Sequence, residues 1–450
     1  LKKIEKLIET NLESLIKEKH AKIAVIGLGY VGLPTAVKFS EVGFSVLGID
    51  INQKLIDQLN QGVIHTKEVG LDNLIAHVVK NGKFKASAVF SSALRDVNVI
   101  ITCVQTPIGS NNKPDLTYLK KACESLSLYL TKNQLVIIQS TVPPGTIKSL
   151  IIPTLEKTGL KCGTDFWLAY CPERMAPGNG LNDLSTSTRL IGAYNSDSSR
   201  YAYELFSAIT DGKLQLTNVE SAELSKLAEN TFRFVNIAFA NELALICKEL
   251  GVDALEVIRL ANTHPRVNIH KPGCGAGGPC LSKDTQLLLD CYTSKSVNLG
   301  LIHSAAKINE FMPKYVVSLA ENALAAKSKT MPFSKVVVLG TAYKGEVDDA
   351  RDSPARSIVE ELVKSGAKTA IFDPYCKESY GQKMAKSIDE AVTDADCIIV
   401  ATDHKVFSTL DLAQIKKLMH ANPVIVDGRR IINAGDAKQL GFTYITTSSA

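Results

Sequence analysis

The sequence predicts an α/β chain in which two doubly wound domains are joined by a long central helical segment, and three observations predict it. Short apolar runs closed by glycine occur near both ends, as in KIAVIG at 22–27 and KVVVLG at 335–340. Between them, residues 220–262 hold helix formers, no interior proline and apolar side chains at helical spacing. At 450 residues the chain also exceeds a single ordinary core, and 45% hydrophobic with 22% charged residues is the balance of a globular enzyme.

The first twenty residues, LKKIEKLIETNLESLIKEKH, place Leu1, Ile4, Ile8, Leu12 and Leu15 on one helical face. This predicts an amphipathic helix over 1–20, not a signal peptide or a membrane span, that packs on the body or on a second subunit, with contact to a membrane surface as the alternative. A first α/β domain is expected over 21–215. Its opening reads as a buried strand (KIAVIG), a tight turn and helix (GLGYVGLPTAVKFSEVG), and a second strand (FSVLGID) that ends at Asp50. Gly27, Gly29 and Gly32, with Tyr30 and Val31 between them, stand where a dinucleotide site needs a turn, an open approach to the pyrophosphate, and close helix packing. Asp50, 23 residues after Gly27, suits a ribose 2′-hydroxyl and repels a 2′-phosphate, so NAD is the expected cofactor. The alternative for Asp50 is a strand-end acid facing only water. Further strands over 97–107, 134–145 and 166–173 carry Thr106, Thr141 and Glu173 at their carboxyl ends, where open α/β sheets bind ligands. Ordinary turn chemistry beside proline accounts for those three equally well.

A central segment over 216–325 begins with the long helix, whose first stretch Gly251 is placed to end. Lys226 and Asn230, four residues apart, point from one face. They are either donors to an oxyanion or part of a solvated stripe with Glu223 and Glu229. Downstream, PGCGAGGPCLSKD sets Cys280 after a glycine-rich loop, which is a poor core element, with Lys283 and Asp284 one turn on. A thiol beside a nicotinamide captures an aldehyde as a thiohemiacetal, so one site could carry an alcohol through to an acid. The bland alternative is a small buried apolar residue, a reading that suits Cys103, Cys123, Cys247, Cys291 and Cys397 in their apolar runs.

From 326 to 450 a second α/β unit echoes the first: SKVVVLGTAYK supplies a strand and turn, TAIFDP a strand ending at Asp373, and DCIIVATDH one ending at Asp403. Its turn keeps Gly340 without the triple-glycine pattern, so a second dinucleotide is not expected. Lys344, Arg351 and Arg429, with Ser353 at a helix start before Pro354, suit a smaller nucleotide. A net charge of +5 without a basic block implies no nucleic acid, though it suits a phosphate-bearing small substrate. Ten cysteines without a C-x-x-C pair, and with Cys274 and Cys280 off zinc spacing, predict no metal and reduced thiols in a cytoplasm. Two rivals share part of this pattern: a two-electron hydroxyacid dehydrogenase, which needs neither Cys280 nor the second α/β unit, and a catalytically silent NAD or nucleotide-sugar sensor, which needs no nucleophile.

Taken in order, GLGYVGLP, STVPPGT, CPER, ELSKLAENTFR, GAGGPCLSKD and GTAYKGEVDDARDSP resemble the UDP-glucose and GDP-mannose dehydrogenase family, over nearly everything after residue 21. The resemblance implies Rossmann-like domains and NAD-dependent, four-electron oxidation of a nucleotide sugar at its 6-hydroxyl to the uronic acid, supplying polysaccharide biosynthesis. It makes Cys280 the nucleophile, Asp284 the group that handles water and proton, and Lys226 with Asn230 the oxyanion donors. Thr141 then resembles the holder of the catalytic water, and Glu173 the acid of acyl-enzyme turnover. The substrate contacts it implies are Glu173, Arg174, Lys226, Asn230, Gly277, Lys344, Arg351 and Arg429. A homodimer through the central helix is implied too, with Arg266 reaching the partner's substrate. CPERMAPGNG, with Arg174 and Pro177, departs from the SPEFL of the UDP-glucose enzymes, and ANTHPRVNIHKPG resembles the UDP-N-acetylhexosamine branch, most of all its mannosamine enzymes. Pro279 and Lys283 depart in turn from the GHCI pattern of that branch, so UDP-N-acetyl-D-glucosamine and UDP-glucose stay as alternatives.

Overall fold

The structure is a computed structural model that describes residues 12–64, 68–109, 113–175, 178–293 and 297–448. The chain forms two compact units, Leu1–Ala228 with Gln286–Cys291, and Glu229–Thr285 with Tyr292–Ala450.

In the first unit, eight strands make one sheet: β1 (Lys22–Ile26), β2 (Ser45–Ile49), β3 (Phe84–Ser87), β4 (Val99–Thr102), β5 (Leu135–Ile138), β6 (Trp167–Tyr170), β7 (Arg189–Ala193) and β8 (Leu214–Asn218). Their order is β3-β2-β1-β4-β5-β6-β7-β8, and only the β6/β7 pair is antiparallel. Along β1, Ile23 and Val25 join one buried cluster while Ala24 and Ile26 join another, so both faces of the sheet are covered. That is why KIAVI reads as an unbroken apolar run and not as an alternating one. The strands are shorter than their apolar runs: the stretches at 97–107, 134–145 and 166–173 pair only over Val99–Thr102, Leu135–Ile138 and Trp167–Tyr170. Their carboxyl-terminal residues leave the ladder as loops, which is where Thr106, Thr141 and Glu173 sit.

The second unit holds a six-stranded, wholly parallel sheet of β9 (Lys335–Leu339), β10 (Lys368–Phe372), β11 (Lys383–Met384), β12 (Cys397–Val400), β13 (Val424–Asp427) and β14 (Thr443–Thr446), in the order β11-β10-β9-β12-β13-β14. Again Val336 and Val338 face one cluster, and Val337 and Leu339 the other. Both sheets are doubly wound, with the order reversing beside β1 and beside β9. Asp403 lies three residues beyond the end of β12 and so stands in the following turn instead of closing the strand.

Eight helices position the functional residues. The N-terminal α1 (Leu12–Lys17) buries Leu12 and Ile16, with Leu15 half-buried. It packs on α3 (Ser196–Ser207), where Lys17 Nζ stands 3.6 Å from Glu204 and Arg200 Nε 3.2 Å from Glu13. Its apolar side is thus part of the first unit's own core; Leu1, Ile4 and Ile8 fall outside the described residues. Helix α2 (Gly32–Glu41) follows β1. The long α4 (Val219–Glu249) ends where the sequence places its stop, with Gly251 at φ +69° and its N–H given to Lys248 O, after which α5 (Ala254–Ala261) begins on an Asp253 cap. The remaining three are α6 (Leu281–Thr293), α7 (Gly300–Ala325) and α8 (Pro354–Lys364).

Trp167, the single tryptophan, lies edge-on to Tyr201 of α3 at 4.8 Å and reports on this packing. Ile16→Ala is expected to destabilise the first unit by about 2–4 kcal/mol, seen as a lower urea midpoint of the Trp167 fluorescence.

Candidate active site

In the first unit the turn after β1 has the three features a dinucleotide requires. Gly27 adopts φ +89°, and a side chain on Gly32 would strike Gly27 O and the Cys103 side chain, so α2 starts tight against the turn. Nothing lies within 4 Å of the place a Cβ on Gly29 would occupy, which leaves the backbone open to a pyrophosphate. Asp50, just past β2, is half-buried; its Oδ2 accepts from Leu28 N (2.8 Å) and its Oδ1 from Asn52 N (3.0 Å). The carboxylate is therefore pinned beside the glycine turn and is not a loose acid in water. Val31 precedes α2, and Tyr30 turns its hydroxyl to Glu68 Oε2 (3.3 Å) while accepting from Gly178 N (2.8 Å).

The loops after β4 and β5 are tied to each other. Thr106, buried, donates to Thr141 O at 2.6 Å, and Ser140 donates to Val104 O at 2.6 Å. Glu173 Oε1 accepts from Arg174 N (2.7 Å), while Oε2 faces Arg189 Nη1 at 3.3 Å. Arg189 opens β7, is 5% exposed and lies over the Phe206 ring at 4.6 Å, so Glu173 is its charge partner in a largely buried pair. Nothing in the sequence singles out Arg189: a lone cation at the start of an apolar strand carries no motif. Arg174 gives Nη1 to Thr188 O (2.9 Å). The turn after Pro144 donates Gly145 N (2.7 Å) and Ile147 N (2.9 Å) to Glu223 of α4, which is fully buried; burial pushes its carboxyl above the usual range against those two donors. One and two turns further along α4, Lys226 is 8% exposed and Asn230 7%, so neither belongs to a solvated stripe.

The second unit carries the thiol. Cys280 is exposed and stands immediately before α6, with its carbonyl accepting from Asp284 N at 2.9 Å. Asp284 is 1% exposed; its Oδ2 receives the Asn230 amide at 2.6 Å, and Lys283 Nζ lies 3.8 Å from Oδ1. Gly277 fits where any side chain would collide with Asp352 O and Pro354 at the start of α8, and Gly278 N donates to Asp352 O at 3.3 Å. Gly278 also underlies the ring of Tyr343. Burial pushes the Tyr343 phenol up to about 12, with the Asp349 carboxylate and the negative charge of a Cys280 thiolate adding to it.

The cations expected to meet a nucleotide are oriented by carboxylates. Arg351 is exposed and forks onto Asp349, with Nε 2.9 Å from Oδ1 and Nη2 2.6 Å from Oδ2. Arg429 is half-buried and gives Nη2 to Asp403 Oδ1 at 3.0 Å. Lys344 is half-buried in the turn after β9, and Ser353 caps α8 by accepting from Ala355 N at 3.3 Å. Arg266 is exposed on the loop after α5. Of the cysteines assigned to the core, Cys123, Cys247 and Cys397 are buried, but Cys103 and Cys291 are only half-buried; Cys103 gives its thiol to Gln139 Oε1 at 3.0 Å. No group of three metal-ligating side chains occurs among the described residues, and no helix there is long and apolar enough to cross a membrane.

Asp373 follows β10 as Asp50 follows β2, yet it is spent differently. Its oxygens accept from Thr341 N (2.7 Å), Ala342 N (3.1 Å), Tyr375 N (2.8 Å), Cys376 N (2.7 Å) and His404 Nε2 (3.1 Å). His404 Nδ1 accepts from Glu346 N (3.0 Å), so Nε2 carries the proton given to Asp373. A carboxylate so occupied has nothing left for a ribose, whereas Asp50 stays half-open. Burial works against the Asp373 charge, but the His404 bond and the backbone donors outweigh it and hold the carboxyl down at about 2.

A glycine turn open to a pyrophosphate, with a half-open acid beside it, is the geometry of a dinucleotide site, and the chain is an NAD-dependent oxidoreductase. The chain belongs to the UDP-glucose/GDP-mannose dehydrogenase family: residues 21–210 match its NAD binding domain, 220–311 its central domain and 337–434 its UDP binding domain. It is 42% identical over 412 residues to a UDP-N-acetyl-D-mannosamine dehydrogenase of Pyrococcus horikoshii, covering 91% of this chain and 96% of that one. It is 36% identical to the Escherichia coli enzyme of the same name, covering 87% and 95%. Among solved structures, the Pyrococcus horikoshii UDP-D-ManNAc dehydrogenase superposes with a TM-score of 0.89 at 41% identity, covering 95% of this chain and 99% of that one. An NDP-N-acetyl-D-galactosaminuronic acid dehydrogenase of Methanosarcina mazei superposes with a TM-score of 0.86 at 34% identity, covering 98% of each.

Because the folded Asp373 titrates below its unfolded value, its contribution to stability is present above about pH 4 and is lost as the pH falls towards 2. Asp373→Asn is therefore expected to lower stability at pH 7 and to flatten the acid limb of the second unit's unfolding curve, measured by circular dichroism in urea from pH 6 to 2.

Proposed function

We propose that the chain oxidises a UDP-N-acetylhexosamine, UDP-N-acetyl-D-mannosamine in the first instance, at C6 to the uronic acid with two NAD consumed. The observation that carries this reading is the exposed Cys280 thiol at the start of α6, on the same unit as the Asn230–Asp284 pair and the Lys344, Arg351 and Arg429 cations. The names of the Pyrococcus and Escherichia coli relatives support mannosamine. The Methanosarcina relative favours a second reading in which the sugar is another N-acetylhexosamine epimer.

NAD held by Gly27, Gly29, Tyr30, Val31, Gly32, Asp50, Thr106 and Thr141 supplies the hydride acceptor. The alcohol loses a hydride and a proton to become the aldehyde. The Cys280 sulfur then bonds to C6, and the new alkoxide takes up a proton as the thiohemiacetal. Loss of a second hydride and that proton leaves a thioester, which water cleaves to the carboxylate and the free thiol. Negative charge develops on the C6 oxygen in each oxidation, and the Lys226 ammonium with the second amide hydrogen of Asn230 stabilises it. Asp284 takes and returns the proton of the thiol and the attacking water. Thr141 holds that water, and Glu173, kept in place by Arg189, assists its attack. Arg351 and Arg429 meet the diphosphate and sugar in bidentate fashion, with Lys344 as a point charge. Arg174 and Gly277 complete the sugar's surroundings, and Arg266 serves the partner's substrate.

The exposed side of α4 supports a homodimer. Phe232 (63% exposed), Phe239 (51%) and Ile246 (52%) recur at seven-residue spacing, with Leu250 (71%) after them. Such a stripe leaves a strip of apolar surface that a second copy of the same helix covers.

A panel of UDP-N-acetylmannosamine, UDP-N-acetylglucosamine, UDP-N-acetylgalactosamine and UDP-glucose tests the reading: two NADH per sugar on a hexosamine is expected, one NADH supports a simple alcohol dehydrogenase, and binding without absorbance change supports a sensor. Cys280→Ser should retain NAD and sugar binding by calorimetry and lose uronate formation by on the order of 10³-fold or more. Phe239→Asp should convert the dimer to a monomer in sedimentation velocity.

A further inference from the structure

The stretch from Arg266 to Cys280 has almost no regular structure, so its backbone donors and acceptors depend on side chains. Asparagines on the flanking helices supply them. Asn262, at the end of α5, accepts from Ile269 N (2.7 Å) and donates to Ile269 O (3.0 Å). Asn236 of α4 accepts from His270 N (2.9 Å) and donates to Asn268 O (2.7 Å). In both cases the primary amide pairs with the chain as a neighbouring strand would.

Asn241, further along α4, differs in being fully buried. Its Oδ1 accepts from Gly273 N at 2.8 Å, and its Nδ2 points to Asn309 Oδ1 of α7 at 3.4 Å. Asn309, 6% exposed, gives its own Nδ2 to Phe234 O at 3.2 Å, which fixes which way both amides face. Two residues on from Gly273 the loop crosses α7 so closely that a Cβ on Gly275 would lie 2.7 Å from Asn309 O, at φ +116°. Leucines at 241 and 309 would fill about the same volume without burying side-chain amides, but would leave Gly273 N without its acceptor. What the amides add is direction: they set where along α4 the glycine loop begins.

Helix α4 also fixes where that loop ends. Asn230 holds Asp284, one turn inside α6, so Cys280 lies on a segment fastened to one rigid helix both before and after it. A reacting atom displaced by about 1 Å loses on the order of 10²-fold in rate, so the register of such a loop is a catalytic quantity. We propose that Asn241, oriented by Asn309, is a positioning residue for Cys280, setting the height of the glycine loop on α4 so that the sulfur meets the aldehyde carbon. This rests on the covalent reading given under the proposed function.

Asn241→Leu removes the tether while keeping the volume, and Gly275→Ala disturbs the same contact from the loop side without touching the buried amides. Each is expected to let the first oxidation proceed and to hinder capture by sulfur. NADH per sugar should fall from two towards one, free aldehyde should become trappable by a hydrazine, and uronate turnover should drop about 10- to 100-fold. KM for NAD should stay within about twofold of the parent. Two NADH per sugar, parental turnover and no trapped aldehyde in a folded variant would overturn the proposal, as would a rise in KM alone. Amide hydrogen exchange decides the tether independently of any substrate: peptides covering 268–279 should exchange faster in Asn241→Leu while α8 is unchanged, and unchanged exchange there overturns the positioning role. If the parent protein gives two NADH with none of the sugars, the functional reading fails and the exchange result still stands.

Discussion

The hydrogen bond from Asn230 to Asp284, 2.6 Å long and buried, is where α4 takes hold of α6, the helix that follows Cys280. A carboxylate with 1% exposure survives in the interior only if a donor meets it, and here the donor stands on the longest helix among the described residues. That pairing fixes α6 at its first turn, and with it the residue immediately before. The glycine loop then has one anchored end, and its path past Asp352, Pro354 and Tyr343 follows from the absence of side chains at 277 and 278. Removing Cβ atoms lets the backbone lie against the second sheet's loops; a bulkier run would hold the thiol away from them.

The two sheets show how one architecture serves different ligands. In both, an acid closes the second strand and reaches back to the turn after the first, through Leu28 N in one and Thr341 N and Ala342 N in the other. The first acid keeps part of its surface open beside a glycine turn. The second is filled by His404 and by its own loop, and Thr402 packs beneath Gly340, with its Oγ1 given to Ala342 O at 2.6 Å. The site that in one sheet suits a dinucleotide is closed in the other, and the cations lie further out, on Arg351 and Arg429, each steered by an adjacent carboxylate.

Much of this was legible in the residues. Apolar runs closed by glycine announced buried parallel strands, the glycine spacing announced the NAD turn, and Gly251 announced the end of the long helix. Strand lengths were not, because an apolar run continues into the loop when the loop is itself packed inside, as at the buried Val142 and the half-buried Val104. Nor was the state of Lys226 and Asn230: a polar pair beside two glutamates reads as solvated until packing shows Glu223 and both of them buried.

By itself the sequence determined which chemistry was present: the glycine turn, the acid 23 residues on, a thiol in a loop too rich in glycine to be core, and cations matched to phosphate. Those signals are local, since each depends on backbone dihedrals or residue spacing within one element. Only the tertiary structure decided partners across long separations: Arg189 for Glu173, Asn230 for Asp284, Asn241 for Gly273 and His404 for Asp373. Buried polar groups must find complements wherever folding brings them, and that requirement leaves no mark at a fixed spacing along the chain.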